Sequence, residues 1–454
     1  MSSATHAETL AAWLAGTEPD QIPDNARETA RKLLLDVSGL CVAARKETYV
    51  LATLATADRG SCTALGHTGG VDAFGSALVN GTAAHGEDFD DTFEGGPVHS
   101  GAVIVPAVLA ACEREGLGGD RLLVGIVTGT ELLCRLSLVA PKATHKAGFH
   151  PTAVFGALAA AGAVGAALRL SPQTIASALG IAGSMASGII EYLAEGSWTK
   201  RMHAGWAAQS GLRAALMARG GFVGPRTVLE GTHGFYRAFA PSVPPNFEPL
   251  LGGLGRSWLM ETIAFKPYAC GTMTQPFIDC AIDLARTAVR ADDITRIVCD
   301  VAEGTVHRLW EPLAGKQTPP GPYAAKFSTP FCMAVGFIDG KAGFAQFTQA
   351  RIEDPAVLAL ASKIEYAINP NDDYPRNYSG HLRATFADGR QLEFRQPFMR
   401  GGARAPLATS EVEAKFMDNI VYGGWSRDAG ERLRRLSHGV FALPRLDAMS
   451  EYRS

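Results

Sequence analysis

Between Gly119 and Gly221 the chain repeats one pattern: residues 120–138, 151–168, 171–186 and 203–219 are each long, rich in Ala and Gly, and periodic at helical spacing. Side chains this small let helices approach closely, and no β-branched alternation competes with the helical period. Ser171 before Pro172 reads as an N-cap followed by Pro in the first helical position, and Gly220-Gly221 as a stop. This stretch predicts an all-helical domain whose helices are buried on more than one face.

The helical character extends toward the N-terminus. Ala26, Ala30, Leu33, Leu34, Val37 and Leu40 recur at helical spacing in 23–45, behind the capping candidates Asp24 and Asn25. Residues 72–87 and 101–115 read as two more helices. Near Phe265 the pattern changes. A helix over 275–288 is followed by 296–303, which alternates like a strand, and 382–386 and 391–394 flank Ala387-Asp388-Gly389-Arg390, a hairpin signal. Asp354-Pro355 opens a helix expected to run to about Ala367, Ser410-x-x-Glu413 is a capping box, and 428–436 is helical again. The expected fold is mainly α: a large discontinuous all-helical domain, 1–265 plus 405–454, with a smaller α+β lid domain, 266–404, inserted in it.

The chain has 454 residues, which suits two or three units of roughly 100–200 residues each. Hydrophobic residues are 47% and charged residues 19%, ample for such cores and unlike disorder. Lys and Arg number 42 against 45 Asp and Glu, a net charge of -3, without the basic excess that nucleic acid binding needs. The start, MSSATHAETLAAWLAG, lacks the basic n-region of a signal peptide, and apolar runs such as 153–168 are broken by Gly and too short for a bilayer. A cytoplasmic protein with no membrane partner is expected. Eight cysteines lie scattered with no C-x-x-C pair, which argues against a zinc ribbon or iron–sulfur motif and for reduced core thiols.

Four constellations carry candidate chemistry. The first is Asp88-Phe89-Asp90-Asp91-Thr92 with His99, between two apolar helices. Carboxylates so close cannot all ionise in a partly buried place without raised pKa values or cationic partners, the condition for acid/base work, whereas a solvated acidic loop is the plain alternative. The second is Lys146 to Thr152, where His150 precedes Pro151 at a helix entry. The third is Ser197 to Trp206, where Lys200, Arg201 and His203 put cations on a helix start that could bind substrate carboxylates or simply face solvent. The fourth is Lys266-Pro267-Tyr268 at the domain boundary, a ligand-binding lysine or a plain hinge. His85, Asp88 and His99 could also ligate a divalent metal; a metal-free acid/base site is the expectation.

In combination, H-x-x-D-F-D-D-T followed by a His, x-F-H-P-T, T-K-R-M-H-A-G-W-A and F-K-P-Y-x-C resemble the MmgE/PrpD family over nearly the whole chain. The family is typified by 2-methylcitrate dehydratase and includes cis-aconitate decarboxylase and iminodisuccinate epimerase. The resemblance implies a homodimer with no metal or organic cofactor, acting on a small di- or tricarboxylate by proton transfer next to a carboxylate. It marks Asp88, Thr92, His99, His150, Lys200 and Lys266 as lining the cleft. His150 and His99 are the expected proton-transfer groups, Asp88 orients one of them, Lys200 is catalytic or binds carboxylate, and Thr92, Lys266, Arg201 and His203 are substrate-binding.

A 2-methylcitrate dehydratase-like reaction is the leading expectation, with epimerase-like and decarboxylase-like activities as alternatives. Gly271, Gln275 and Phe331 stand where the family often carries polar groups, which bears on that choice. From other classes, a metal-dependent hydrolase and a non-catalytic dimer that binds an organic acid are the rival readings.

Overall fold

The computed structural model describes residues 4–453. They form two compact units. The larger holds the described residues up to Gly86, Asp90–Ala264 and the residues from Asn419 on; the smaller holds Glu87–Phe89 and Phe265–Asp418.

The larger unit is built from helices α1 (His6–Gly16), α2 (Asp24–Ala44), α3 (Ala73–His85), α4 (Gly101–Glu115), α5 (Gly119–Leu138), α6 (Pro151–Ala167), α7 (Pro172–Met185) and α8 (Thr199–Arg219). Its only regular strands among the described residues, apart from the short Arg59–Cys62, are β1 (Thr92–Phe93) and β2 (Ile263–Ala264), paired antiparallel with Thr92 opposite Ala264. Every residue of α6 is buried, as its sequence PTAVFGALAAAGAVGAA requires, since it offers no polar face to water. Around it lie α4, α5, α7 and α8.

Small residues set the spacing of these helices. A Cβ added to Gly205 of α8 would come 2.2 Å from the Leu78 carbonyl of α3, and one added to Gly81 would come 2.5 Å from the Gly205 Cα. Here the two backbones touch, and only glycine fits. The Asp72 side chain caps α3 by accepting from the Phe74 and Gly75 N–H groups at 2.9 and 3.1 Å, so α3 starts where the sequence placed it.

The smaller unit contains α9 (Gln275–Arg286), β3 (Ile294–Val301), α10 (Thr329–Asp339), α11 (Pro355–Ala361), β4 (Ile364–Ile368), β5 (Gly380–Phe386) and β6 (Gln391–Gln396). Its sheet runs β4-β3-β5-β6. The β5–β6 hairpin turns through Asp388 and Gly389, whose φ of 81° is the left-handed conformation the Asp-Gly signal implies. The helix expected from Asp354 to Ala367 is corrected: Asp354 does cap α11, but the helix ends at Ala361 and 364–368 is a strand. β4 lies parallel to β3, with Ile364 opposite Ile297, and this edge pairing of a β-branched and aromatic run outweighs its local helical period. Likewise α12 (Thr409–Tyr422) starts one residue before Ser410, and Glu411 reaches back to the Ala408 N–H at 2.9 Å. α13 (Arg427–Gly439) closes the described helices, with Ser426 as its N-cap. No described helix is long and apolar enough to cross a membrane.

The Gly81–Gly205 contact yields a stability prediction. Gly205→Ala forces α3 and α8 apart and lowers unfolding free energy by about 1–3 kcal/mol in urea titrations. Gly16→Ala, where an added Cβ meets nothing within 4 Å, is neutral or slightly stabilising.

Candidate active site

Four helix ends of the larger unit deliver four histidines to one place. His85 is the last residue of α3, His99 precedes α4, His150 is the N-cap residue of α6, and His203 lies in the first turns of α8. The His85 ring lies 4.9 Å from that of His99 and stacks on His150 at 5.5 Å; the His150 and His203 rings are 5.3 Å apart. His85, His150 and His203 are buried, and His99 is partly so.

Asp90 organises one half of the cluster. Its carboxylate meets His85 Nδ1 at 2.7 Å and His99 Nδ1 at 3.4 Å, with no side-chain exposure. Burial opposes its ionisation, but the His99 and His85 imidazoles outweigh burial and hold the carboxyl well below the usual carboxylate range. An ionised Asp90 only accepts, so His85 donates from Nδ1. The His99 Nδ1 faces the Asp91 carbonyl oxygen at 2.7 Å, which also only accepts, so Nδ1 carries the proton and a neutral His99 presents Nε2 as a base. Thr152 Oγ1, at the entry of α6, accepts from the His99 N–H at 3.2 Å and fixes the residue's backbone.

Burial, then the Asp90 charge, pushes the neighbouring Asp91 carboxyl up to about 7. Asp91 accepts from the Ser100 N–H and hydroxyl and from the Gly101 N–H at 2.8–3.0 Å, which ties the loop to the N-terminus of α4. The two adjacent acids therefore divide their roles, one charged between histidines and one capping a helix.

Burial also lowers the other three histidines. His85 is lowered by burial despite Asp90, and His150 well below its ordinary value by burial with His85, His203 and Lys200 around it. His203 falls to about 4 through burial, His85 and Lys200. Lys200, half-buried in the first turn of α8, is thus close enough to act on all three. Burial thus favours the neutral imidazole at His85, His150 and His203.

Donor atoms of His85, Asp90 and His99 lie within 4.8 Å of one another. The trio could hold a metal ion in a small cage: both histidines donate from Nδ1 to oxygen, the usual arrangement of a histidine that ligates through Nε2. Its carboxylate is Asp90, whereas the sequence reading offered Asp88 both for such a cage and for orienting a histidine.

Asp88 belongs to the smaller unit. Its φ of 56° is left-handed, a costly conformation for this residue, and its surroundings hold it there. Three buried ammonium groups grip three consecutive carbonyls: Lys326 donates to Glu87 O at 2.8 Å, Lys266 to Asp88 O at 2.9 Å and Lys415 to Phe89 O at 2.7 Å. Lys326 also pairs with the Glu87 carboxylate at 2.8 Å, and the Tyr323 hydroxyl donates to Asp88 Oδ2 at 2.6 Å.

Of the expected site residues, the fold brings His99, His150, His203 and Lys200 together in the larger unit and Asp88 and Lys266 together in the smaller. Thr92 sits on β1 beside Asp91 and is buried, while the Arg201 guanidinium lies 4.4 Å over the Tyr49 ring. Asp90 and Thr152 fell inside the first two constellations without being assigned to the site, and Tyr323, Lys326 and Lys415 were not singled out in the sequence. Phe331 is fully buried in the core of the smaller unit, beside Phe347, and the Gln275 amide turns inward to the Tyr268 and Cys270 carbonyls at 3.4 Å.

Residues 8–248 match the MmgE/PrpD N-terminal domain and residues 268–434 the MmgE/PrpD C-terminal domain. Among curated proteins, the chain is 29% identical to a cis-aconitate decarboxylase of Aspergillus terreus, covering 96% of this chain and 92% of that protein. It is 30% identical to the cis-aconitate decarboxylase of Homo sapiens, covering 76% and 72%. A cis-aconitate decarboxylase-like protein of Aspergillus oryzae is 28% identical over 97% of this chain and 95% of its own length.

The raised Asp91 pKa has a consequence for stability. The folded carboxyl keeps its proton up to about 7, whereas an ordinary aspartate gives it up near 3.8, so its contribution is complete below about 3.8 and is lost as pH rises through about 7. Urea unfolding of the parent and of Asp91→Asn at pH 5 and pH 8 measures this: the fall in stability between the two pH values is smaller in the variant.

Proposed function

We propose that this chain, which belongs to the MmgE/PrpD family, is a metal-independent lyase that breaks a bond at a carbon next to a carboxylate of a small tricarboxylate, with decarboxylation of a cis-aconitate-like acid as its reaction. The observation that carries this reading is the cluster of four histidine rings that encloses the buried Asp90 carboxylate, with Lys200 close to it. Loss of carbon dioxide leaves an electron pair on carbon, which spreads into the adjoining carboxylate as enolate-like charge. Lys200 stabilises that charge, and a histidine that has taken a proton from water delivers it from N–H to complete the product. His150 and His99 are the proton-transfer groups, with Asp90 fixing the tautomer of His85 and bracing His99. The names of the similar proteins favour decarboxylation over the dehydration of a 2-methylcitrate-like acid, which calls on the same groups with water as the leaving molecule.

The assembly proposed is a homodimer formed through α8. Trp198, Met202 and Trp206 follow one another at four-residue spacing and Met217 continues the same side; all are 37–53% exposed. A row of large apolar side chains on one helix face is the usual mark of a protein contact, and a second copy supplies a matching row by symmetry.

Two experiments test these readings. In D2O, NMR of the purified protein with cis-aconitate, 2-methylcitrate, citrate and iminodisuccinate is expected to show carbon dioxide loss from cis-aconitate, with one deuteron entering the product and activity retained in EDTA. Water loss from 2-methylcitrate alone, exchange without net conversion, or abolition by EDTA would each overturn the reading. His150→Asn and Lys200→Ala should each lower kcat/KM by about 10²–10⁴-fold. In sedimentation, Trp206→Glu converts a dimer to a monomer; a parent that is already monomeric sinks the proposed assembly.

A further inference from the structure

We infer that His203 is the partner with which His150 shares one proton, a positioning residue that sets which His150 nitrogen is acid and which is base rather than a ligand for the substrate. This rests on the reading of His150 as a proton-transfer group.

The Nδ1 atoms of the two rings are 3.2 Å apart, and both side chains are buried. A nitrogen–nitrogen hydrogen bond needs one N–H and one lone pair, so only one of the two Nδ1 atoms carries hydrogen. Two neutral arrangements satisfy this. In the first, His150 donates from Nδ1 and presents Nε2 as a base, while His203 holds its hydrogen on Nε2. In the second, His203 donates from Nδ1 and His150 presents Nε2–H. The state of His203 therefore decides what His150 can do.

The backbone builds this contact deliberately. His150, at the entry of α6, donates its backbone N–H to the Gly188 carbonyl at 2.8 Å, and the next residue pair, Phe149 and Ile189, forms an isolated antiparallel bridge. Gly188 has φ 123°, and a Cβ there would come 2.5 Å from the Ala153 Cβ and 3.4 Å from the His203 ring. The segment can pass between α6 and α8 only with glycine at that place, and it holds both rings in register. The other groups facing the pair are His85 from α3, His99 before α4, Tyr192 and, in α8 itself, Lys200.

The proposed decarboxylation consumes one proton, which the pair takes from water. With that proton bound, the positive charge rests on His203, whose Nδ1–H donates to His150 Nδ1 while His150 presents Nε2–H. As the carbon–carboxylate bond breaks and carbon dioxide leaves, His150 Nε2 gives its proton to the carbon that keeps the electron pair, His203 passes its Nδ1 proton to His150 Nδ1, and the pair returns to the first arrangement. A second added proton is excluded, because it would set two N–H groups against each other at 3.2 Å. The pair takes up one proton as a unit, in keeping with coupled sites.

The test uses full-length protein labelled with 15N-histidine, its ring signals assigned by single His substitutions, and needs no substrate. The expected result is complementary tautomers, one ring protonated on Nδ1 and the other on Nε2, with His150 losing its fixed tautomer in His203→Phe. Two Nε2–H rings in the parent would overturn the inference. In turnover, His203→Phe should lower kcat at least about tenfold, shift the pH dependence of kcat, and change KM by less than about threefold, with partial rescue in His203→Asn, whose amide can also donate or accept at Nδ1. A tenfold or greater rise in KM at unchanged kcat, about 1.4 kcal/mol of lost uniform binding, would make His203 a substrate ligand and overturn it as well. If His150→Asn stays fully active, the proton-transfer reading fails, while the tautomer spectrum still decides whether the proton is shared.

Discussion

An ionised carboxylate taken out of water costs several kcal/mol unless charge partners and hydrogen bonds compensate it. Asp90 is taken out completely, and what compensates it is a pair of imidazoles. That one requirement propagates: it makes His85 an Nδ1 donor, pulls His99 toward the Asp91 carbonyl, and leaves Asp91 to hold its own proton while it caps α4. His150 and His203 then meet a cluster already crowded with positive or potentially positive groups, and burial with that crowding keeps both neutral. The result is a set of bases poised to receive protons beside a fixed negative charge.

The scaffold makes this possible by being stiff. Helix ends are good places to hold side chains precisely, provided the helices cannot slide. Here α3 and α8 are locked by backbone contact at Gly81 and Gly205, and α6 is buried along its full length. The small residues that allow such close packing also leave little room for adjustment, so the histidines at the helix ends inherit their spacing from the core.

The loop between His85 and Asp90 follows a different rule. Three of its four residues, Glu87, Asp88 and Phe89, are held in the smaller unit by lysines from three separate parts of the chain, each ammonium satisfying one buried carbonyl. The same grip stabilises the left-handed Asp88, whose carboxylate is engaged by Tyr323. In sequence this clamped segment lies between His85 and Asp90.

Much of this was legible in the sequence. The order and extent of the long helices follow from period and capping, which are local properties: α4 spans Gly101–Glu115 as expected, and His150 sits before Pro151 at a helix entry. The histidines and Lys200 were visible for the same reason, since each lies at a helix end. Where local period and tertiary pairing disagreed, as over 364–368, the parallel neighbour strand won. What only the tertiary structure decided was which acid does what. Asp88, Asp90 and Asp91 are indistinguishable by type and lie in a turn without periodicity, so their roles depend on what each side chain and carbonyl meets. The lysines that clamp the segment lie 178, 239 and 326 residues away in sequence, and no local pattern encodes such meetings.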